Sequence, residues 1–195
     1  MTRAYCPKCN YPKATCVCHG VSQVRNQVKV VVLQHPSEAK AAKATVPLLE
    51  LSLNDIQVVR GESPQDFNEL REQLADSNAP VWLLYPSEDA TTLVSAETPV
   101  QEGTLLVLDG TWKKAFKLYQ LNPWLAELPQ FALPSSQAQY RIRKAPNAEG
   151  LSTLEAVAQG LELVEHLPQT PLLHLLDVFI ERQMQGMPDS VKQRY

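Results

Sequence analysis

Leu105-Leu106-Val107-Leu108-Asp109-Gly110-Thr111-Trp112 carries the clearest strand-to-helix switch in the chain. Its first four residues are a continuous apolar run of the length of a buried strand. After Thr111 the period becomes helical: Trp112, Ala115, Phe116 and Tyr119 recur at i, i+3, i+4 and i+7, while Lys113, Lys114 and Lys117 point elsewhere. A carboxylate therefore stands where a strand ends and a helix begins. In open α/β sheets ligands gather outside the carboxyl ends of the strands, which makes Asp109 the first candidate for chemistry. Read by itself, Asp109 is equally an N-cap, an acceptor for a ligand hydroxyl or a general base. Gly110 permits close backbone approach, and Trp112 offers a flat stacking surface.

The same alternation extends in both directions. Residues 28–33, 56–60, 81–85 and 104–108 read as short strands. An alanine-rich stretch from Ala39 reads as a helix that Pro47 kinks or restarts. Phe67, Leu70 and Leu74 have helical spacing, residues 123–134 are proline-punctuated and irregular, and a last helix spans about residues 171–183. Ser152-Thr153-Leu154-Glu155 is a capping box opening a helix with Leu154, Val157, Ala158 and Leu161 on its apolar face. Strands alternating with helices predict an α/β fold, a parallel sheet with helices on both faces. The loops beginning at Gln34, Pro86 and Asp109 then share one edge. Pro-Ser-Glu follows two strands, at 36–38 and 86–88, and turn and cap preferences explain both copies.

Composition bounds the function. With 195 residues, 44% hydrophobic and 20% charged, the chain is sized for one domain with a small appendage. A knuckle over residues 1–24 and a main domain over 25–195 are expected. No apolar run approaches the roughly 18 residues of a membrane span, and the N-terminus has no apolar leader, so the expected address is the cytoplasm, with no membrane partner. A net charge of −3 argues weakly against a dedicated nucleic-acid binder, yet the cations cluster: Arg3, Lys8 and Lys13, then Lys113, Lys114 and Lys117, then Arg141, Arg143 and Lys144. Each cluster alone is as well explained as a solvated face. In an extended Tyr140-Arg141-Ile142-Arg143-Lys144, the two guanidiniums share a side and suit a carboxylate or phosphates, or keep an edge strand soluble. His35, beside a proline, is a minor acid–base candidate. No P-loop, dinucleotide fingerprint or Ser-His-Asp order is present, which argues against an NTPase or a common dehydrogenase.

All four cysteines fall at Cys6, Cys9, Cys16 and Cys18. Without an export signal, disulfides are disfavoured, and four thiolates so crowded suit tetrahedral Zn²⁺, with His19 able to replace one sulfur. Such a closed site is structural and would fold a knuckle lacking a core of its own. Tyr5, Tyr11 and the nearby lysines would be free to meet RNA.

Together these segments resemble the DTW-domain family. The resemblance rests on Cys6-x2-Cys9-x6-Cys16-x-Cys18, Tyr85-Pro86-Ser87, Leu108-Asp109-Gly110-Thr111-Trp112-x2-Ala115, Tyr140-Arg141-x-Arg143-Lys144 and Ser152-Thr153-x-Glu155-Ala156, in order. It implies a SPOUT-like domain with a C-terminal trefoil knot. It also implies a tRNA-uridine aminocarboxypropyltransferase, which moves the 3-amino-3-carboxypropyl group of S-adenosylmethionine to N3 of a uridine in tRNA. In that reading Tyr85, Pro86, Ser87, Leu108, Asp109, Gly110, Thr111, Trp112, Leu151, Ser152, Thr153 and Glu155 hold S-adenosylmethionine. Asp109 is the base or orienter for N3, and Lys113, Arg141, Arg143 and Lys144 meet RNA, the arginines alternatively the cofactor carboxylate. Lys43-Ala44-Thr45-Val46 keeps only the Thr of an Asn-Thr pair frequent in the family. The competing readings are an S-adenosylmethionine-dependent RNA methyltransferase and a non-catalytic zinc-dependent RNA-binding protein.

Overall fold

A computed structural model describes residues 4–134 and 150–185. Six strands, β1 (Lys29–Gln34), β2 (Ile56–Arg60), β3 (Val81–Leu84), β4 (Thr91–Thr92), β5 (Thr104–Asp109) and β6 (Gln130–Ala132), form one sheet in the order β2-β1-β5-β3-β6-β4. Every pairing is parallel. The helices are α1 (Val46–Ser52), α2 (Asn68–Asp76), α3 (Trp112–Leu121), α4 (Thr153–Glu165) and α5 (Thr170–Gln185).

The central strands are apolar on both sides because both sides are covered. Val30, Val32, Leu105 and Val107 pack with α1, α4 and α5, whereas Val31, Leu33 and Leu106 pack with Phe67, Leu70 of α2 and Ala115 and Leu118 of α3. The apolar residues Leu172, Leu175, Leu176 and Phe179 of α5 are buried and complete the first of these cores. The four strands expected from sequence are present, and helices lie on both faces.

Four local expectations are corrected. Residues 39–44 are turns, and the helix begins at Val46 with Pro47 in its first turn. Six residues cannot repay helix nucleation, and a proline is tolerated only where its missing N–H has no partner to make. The 123–134 segment is ordered: a 3-10 helix over Pro123–Glu127 leads into β6. β4 and β6, with two and three residues, are too short to display a period. Pro86 therefore opens a loop to β4 rather than to a helix. Finally, α3 faces inward through Ala115 and Leu118, while Trp112 and Phe116 are 49% and 57% exposed. This helix is apolar at six of its ten positions, so periodicity alone leaves the buried face undetermined.

The N-terminal segment docks on α5. Cys9 and Val17 are buried in the same core, and the Tyr11 and Phe179 rings lie 5.6 Å apart. A Cβ on Gly20 would stand 2.8 Å from Val178 Cγ2, so this approach requires glycine. No helix among the described residues is long and apolar enough to cross a membrane. The implied knot depends on the passage from β6 to α4. That passage, residues 135–149, lies outside the described residues, and with it Tyr140, Arg141, Arg143 and Lys144, as does Arg3.

Candidate active site

The carboxyl ends of β3, β5 and β6 open into a cleft of about 380 Å³, within the range of small-molecule sites. Leu84, Val107, Leu108 and Phe131 supply its strand-end walls, with Leu133 and Pro134 following β6. Tyr85 and Pro86 enter from the loop after β3, Gly110, Trp112 and Ala115 from the start of α3. Gly150, Leu151, Ser152, Thr153 and Ala156 close it from the start of α4. The walls are mostly apolar, with the Ser152 and Thr153 hydroxyls, the Tyr85 phenol, the Trp112 indole and loop backbone as polar groups.

Local sequence chemistry holds this cleft in shape. Ser152 Oγ accepts from the Glu155 amide at 3.3 Å, and the Glu155 carboxylate accepts from the Ser152 amide at 2.6 Å. The expected capping box is thus formed, with both residues buried. Thr45 Oγ1 accepts from the Leu154 amide at 3.4 Å, so two of the N-terminal amides of α4 are already satisfied by side chains. Tyr85 stacks on Tyr119 with ring centroids 4.8 Å apart, and Tyr119 donates to Gln130 Oε1 at 3.0 Å. Burial raises the Tyr85 phenol above its ordinary value, which keeps it neutral. Ser87 Oγ is buried with no hydrogen-bond partner among the described residues. A buried hydroxyl left unpaired is costly; Ser87 follows Pro86, which lines the cleft, without being part of its wall.

Asp109 does not line the cleft. It is 8% exposed, and both carboxylate oxygens are engaged: Oδ1 accepts from Thr153 Oγ1 at 2.5 Å and Oδ2 from Gln34 Nε2 at 3.0 Å. Gln34 Oε1 in turn accepts from Arg60 Nε at 3.2 Å. A polar chain thus runs from the end of β2 through β1 and β5 to the first residue of α4. The N-cap of α3 is Thr111, through its backbone and without a side-chain bond, so Asp109 caps nothing. Local sequence pattern marks Gln34 only as the start of a loop and gives Arg60 no place in a site. The signal was a polar residue, Gln34, closing an apolar strand, and parallel register sets it opposite Asp109.

The polar residues on the far side of α3 pair among themselves. Lys114 meets Glu38 at 2.7 Å and Lys117 meets Glu62 at 2.8 Å. His35 contacts Glu62 through Nε2 at 3.3 Å and Ser37 through Nδ1 at 2.9 Å. Lys117, then His35, holds the Glu62 carboxyl below its ordinary range. These pairs bind α3 to the loops after β1 and β2, outside the cleft. Lys113 is exposed and forms no ion pair among the described residues.

The four cysteines converge. All four sulfurs lie within 4.8 Å of one another, with Cys6–Cys18 and Cys9–Cys16 at 3.7 Å. Metal–sulfur bonds of ~2.3 Å in a tetrahedron put sulfurs ~3.8 Å apart, so the donor set fits a tetrahedral thiolate centre. The amides of Cys9 and Lys8 pull the Cys6 thiol down to about 6, whereas burial and the neighbouring thiols push Cys18 up to about 12. Four thiols this close cannot all ionise without a cation among them. Tyr11 is committed to Phe179, and Tyr5 remains exposed.

A family model described as "DTW domain" matches residues 3–184. The chain is 34% identical over 173 residues, 86% of its length, to a Drosophila melanogaster protein named tRNA-uridine aminocarboxypropyltransferase 2. It is 31% identical over 194 residues, 94% of its length, to the Mus musculus protein of the same name. A third relative, tRNA-uridine aminocarboxypropyltransferase A of Arabidopsis thaliana, is 23% identical over 201 residues and is covered for 73% of its length. The chain spans 69% of the fly protein and 64% of the mouse protein.

Proposed function

Because this chain belongs to the DTW-domain family, we propose that it transfers the 3-amino-3-carboxypropyl group of S-adenosylmethionine to N3 of a uridine in tRNA. The observation that carries this reading is the cleft itself: Leu108, Gly110 and Trp112 and the capped start of α4 wall one cleft of small-molecule size at the carboxyl edge of a parallel sheet.

In the reaction, uridine N3 attacks the γ-carbon of the methionine moiety and the bond from that carbon to sulfur breaks. The sulfonium becomes the neutral thioether of methylthioadenosine, and the N3 proton is released. The leaving group is already activated, so the protein's task is chiefly positioning. The apolar walls exclude water around the adenosyl and thioether parts, while Ser152 and Thr153 are the aliphatic hydroxyls at hand for polar groups. A methyltransferase would present the methyl carbon in the same pocket; this reaction requires the γ-carbon at the open side.

We assign Asp109 the orienting role rather than direct proton abstraction. Its carboxylate reaches the cleft only through the Thr153 hydroxyl that it fixes. Arg141, Arg143 and Lys144 remain assigned to RNA phosphates or the amino-acid carboxylate on sequence grounds. Zinc is the metal we assign to Cys6, Cys9, Cys16 and Cys18, where it would hold the knuckle against α5 and leave no open position for catalysis.

The test is the by-product. Incubated with S-adenosylmethionine and unmodified tRNA, the protein should release methylthioadenosine stoichiometrically with consumption. S-adenosylhomocysteine in its place would assign methyl transfer and overturn the reading.

A further inference from the structure

The outer side of α3 carries two aromatic rings that the fold does not use. Trp112 and Phe116 are 49% and 57% exposed, and residues four apart on a helix are neighbours on its surface. Trp112 and Ala115 line the cleft. Phe116 follows Ala115 directly and lies one turn beyond Trp112 on the same helix, which sets it on the surface next to two residues of the cleft wall. Its exposure is unforced: Ala115 and Leu118 already fill the interface with the sheet.

Charge on this helix is distributed to match. Lys114 and Lys117 are neutralised by Glu38 and Glu62, whereas Lys113 forms no ion pair among the described residues. Lys113 and Phe116 are three apart, hence also surface neighbours. An aromatic pair flanked by an uncommitted cation is the chemistry that receives unpaired nucleotides: bases stack on the rings and a phosphate meets the ammonium. A two-ring patch on a chain of net charge −3 is poorly suited to a lipid surface, which needs a wide basic and apolar face.

Resting on the transferase reading above, we propose that Phe116, together with Trp112, is a stacking platform for unpaired bases next to the target uridine, with Lys113 contacting a phosphate of the same strand. It engages the nucleotides that flank the uridine as it enters the cleft, and it selects single-stranded over duplex RNA because only an unstacked base can present its face.

The test measures binding of a fluorescently labelled, unmodified tRNA transcript to the full chain across a salt series, with a fully paired RNA hairpin as control. Phe116→Ala and Phe116→Leu should weaken tRNA binding roughly 5- to 150-fold, the range that base–aromatic stacking spans. Phe116→Tyr should keep it. S-adenosylmethionine affinity by calorimetry and hairpin binding should stay at the parent's values. Lys113→Gln should lower the salt slope by about one, while the Phe116 variants leave that slope unchanged. Wild-type tRNA affinity in Phe116→Ala would overturn the proposal. Retention by Leu would also overturn it, since an aliphatic side chain has no ring face for a base to stack on. A parent protein that binds tRNA but transfers nothing would sink the transferase reading instead, and this binding comparison would still stand.

Discussion

Replacing Asp109 by Asn tests the polar chain across the sheet edge. The parent carboxylate offers an acceptor to each of two donors, Thr153 Oγ1 at 2.5 Å and Gln34 Nε2 at 3.0 Å. Asparagine offers one acceptor and one amino group. Gln34 cannot simply turn over to compensate, because its oxygen is engaged by Arg60 Nε at 3.2 Å. The carbonyl therefore keeps Gln34, and the Thr153 hydroxyl loses its charge-assisted bond. With Asp109 only 8% exposed, that loss should cost about 1.5–3 kcal/mol. For a domain of this size each kcal/mol lowers the melting temperature by ~2–4 °C, giving a fall of roughly 3–12 °C. Calorimetric melts measure it, and isothermal titration should show S-adenosylmethionine affinity dropping about tenfold or more as Thr153 loses its fixed orientation. Thr153→Val should be coupled to Asp109→Asn by about 0.5–3 kcal/mol in a double-mutant cycle. A melt within ~1 °C of the parent would refute the network. Parent-like cofactor affinity with abolished turnover would refute the orienting role and make Asp109 a direct participant.

Three further outcomes are expected. Ser152→Ala breaks the capping box at α4 and should destabilise by about 0.5–2 kcal/mol, with a matching weakening of cofactor binding because Ser152 also lines the cleft; parent-like melts would count against it. Chelation, or Cys9→Ser, should loosen the segment held on α5 through Tyr11 and Phe179 and lower the melting temperature; added Zn²⁺ should restore the chelated parent but not the variant. Glu62 titrates below its ordinary 4.5 because of Lys117 and then His35, so its stabilisation is present above that pH and is lost as pH falls through the lowered value. Glu62→Gln should therefore flatten the acid limb of stability below about pH 4.5, read from melts between acid and neutral pH; an unchanged limb would show that the pairing carries no linkage.

The strands of the sheet centre were legible because each is a compact apolar run ended by a polar or proline turn, as at Gln34, Pro86 and Asp109. The capping box at Ser152 and Glu155 was legible because its chemistry is local, and four cysteines within thirteen residues announce their convergence. What sequence could not supply depended on partners distant along the chain. Gln34 becomes Asp109's neighbour only through parallel register, and Thr45 becomes the partner of the Leu154 amide only after α1 and α4 pack. The exposure of Phe116 is decided by the sheet choosing Ala115 and Leu118 from a helix with too many apolar residues to show a single stripe. Asp109 stands out in the sequence by position alone, while its contacts depend on a hydroxyl 44 residues away.

Group transfer is read out with S-adenosylmethionine labelled separately in its methyl and carboxypropyl groups. After incubation with unmodified tRNA, nuclease digestion and mass spectrometry locate the label. Carboxypropyl label on N3 of uridine, with the methyl label leaving in methylthioadenosine, is the predicted result. Methyl label in the RNA, or no label while tRNA remains bound, would contradict it.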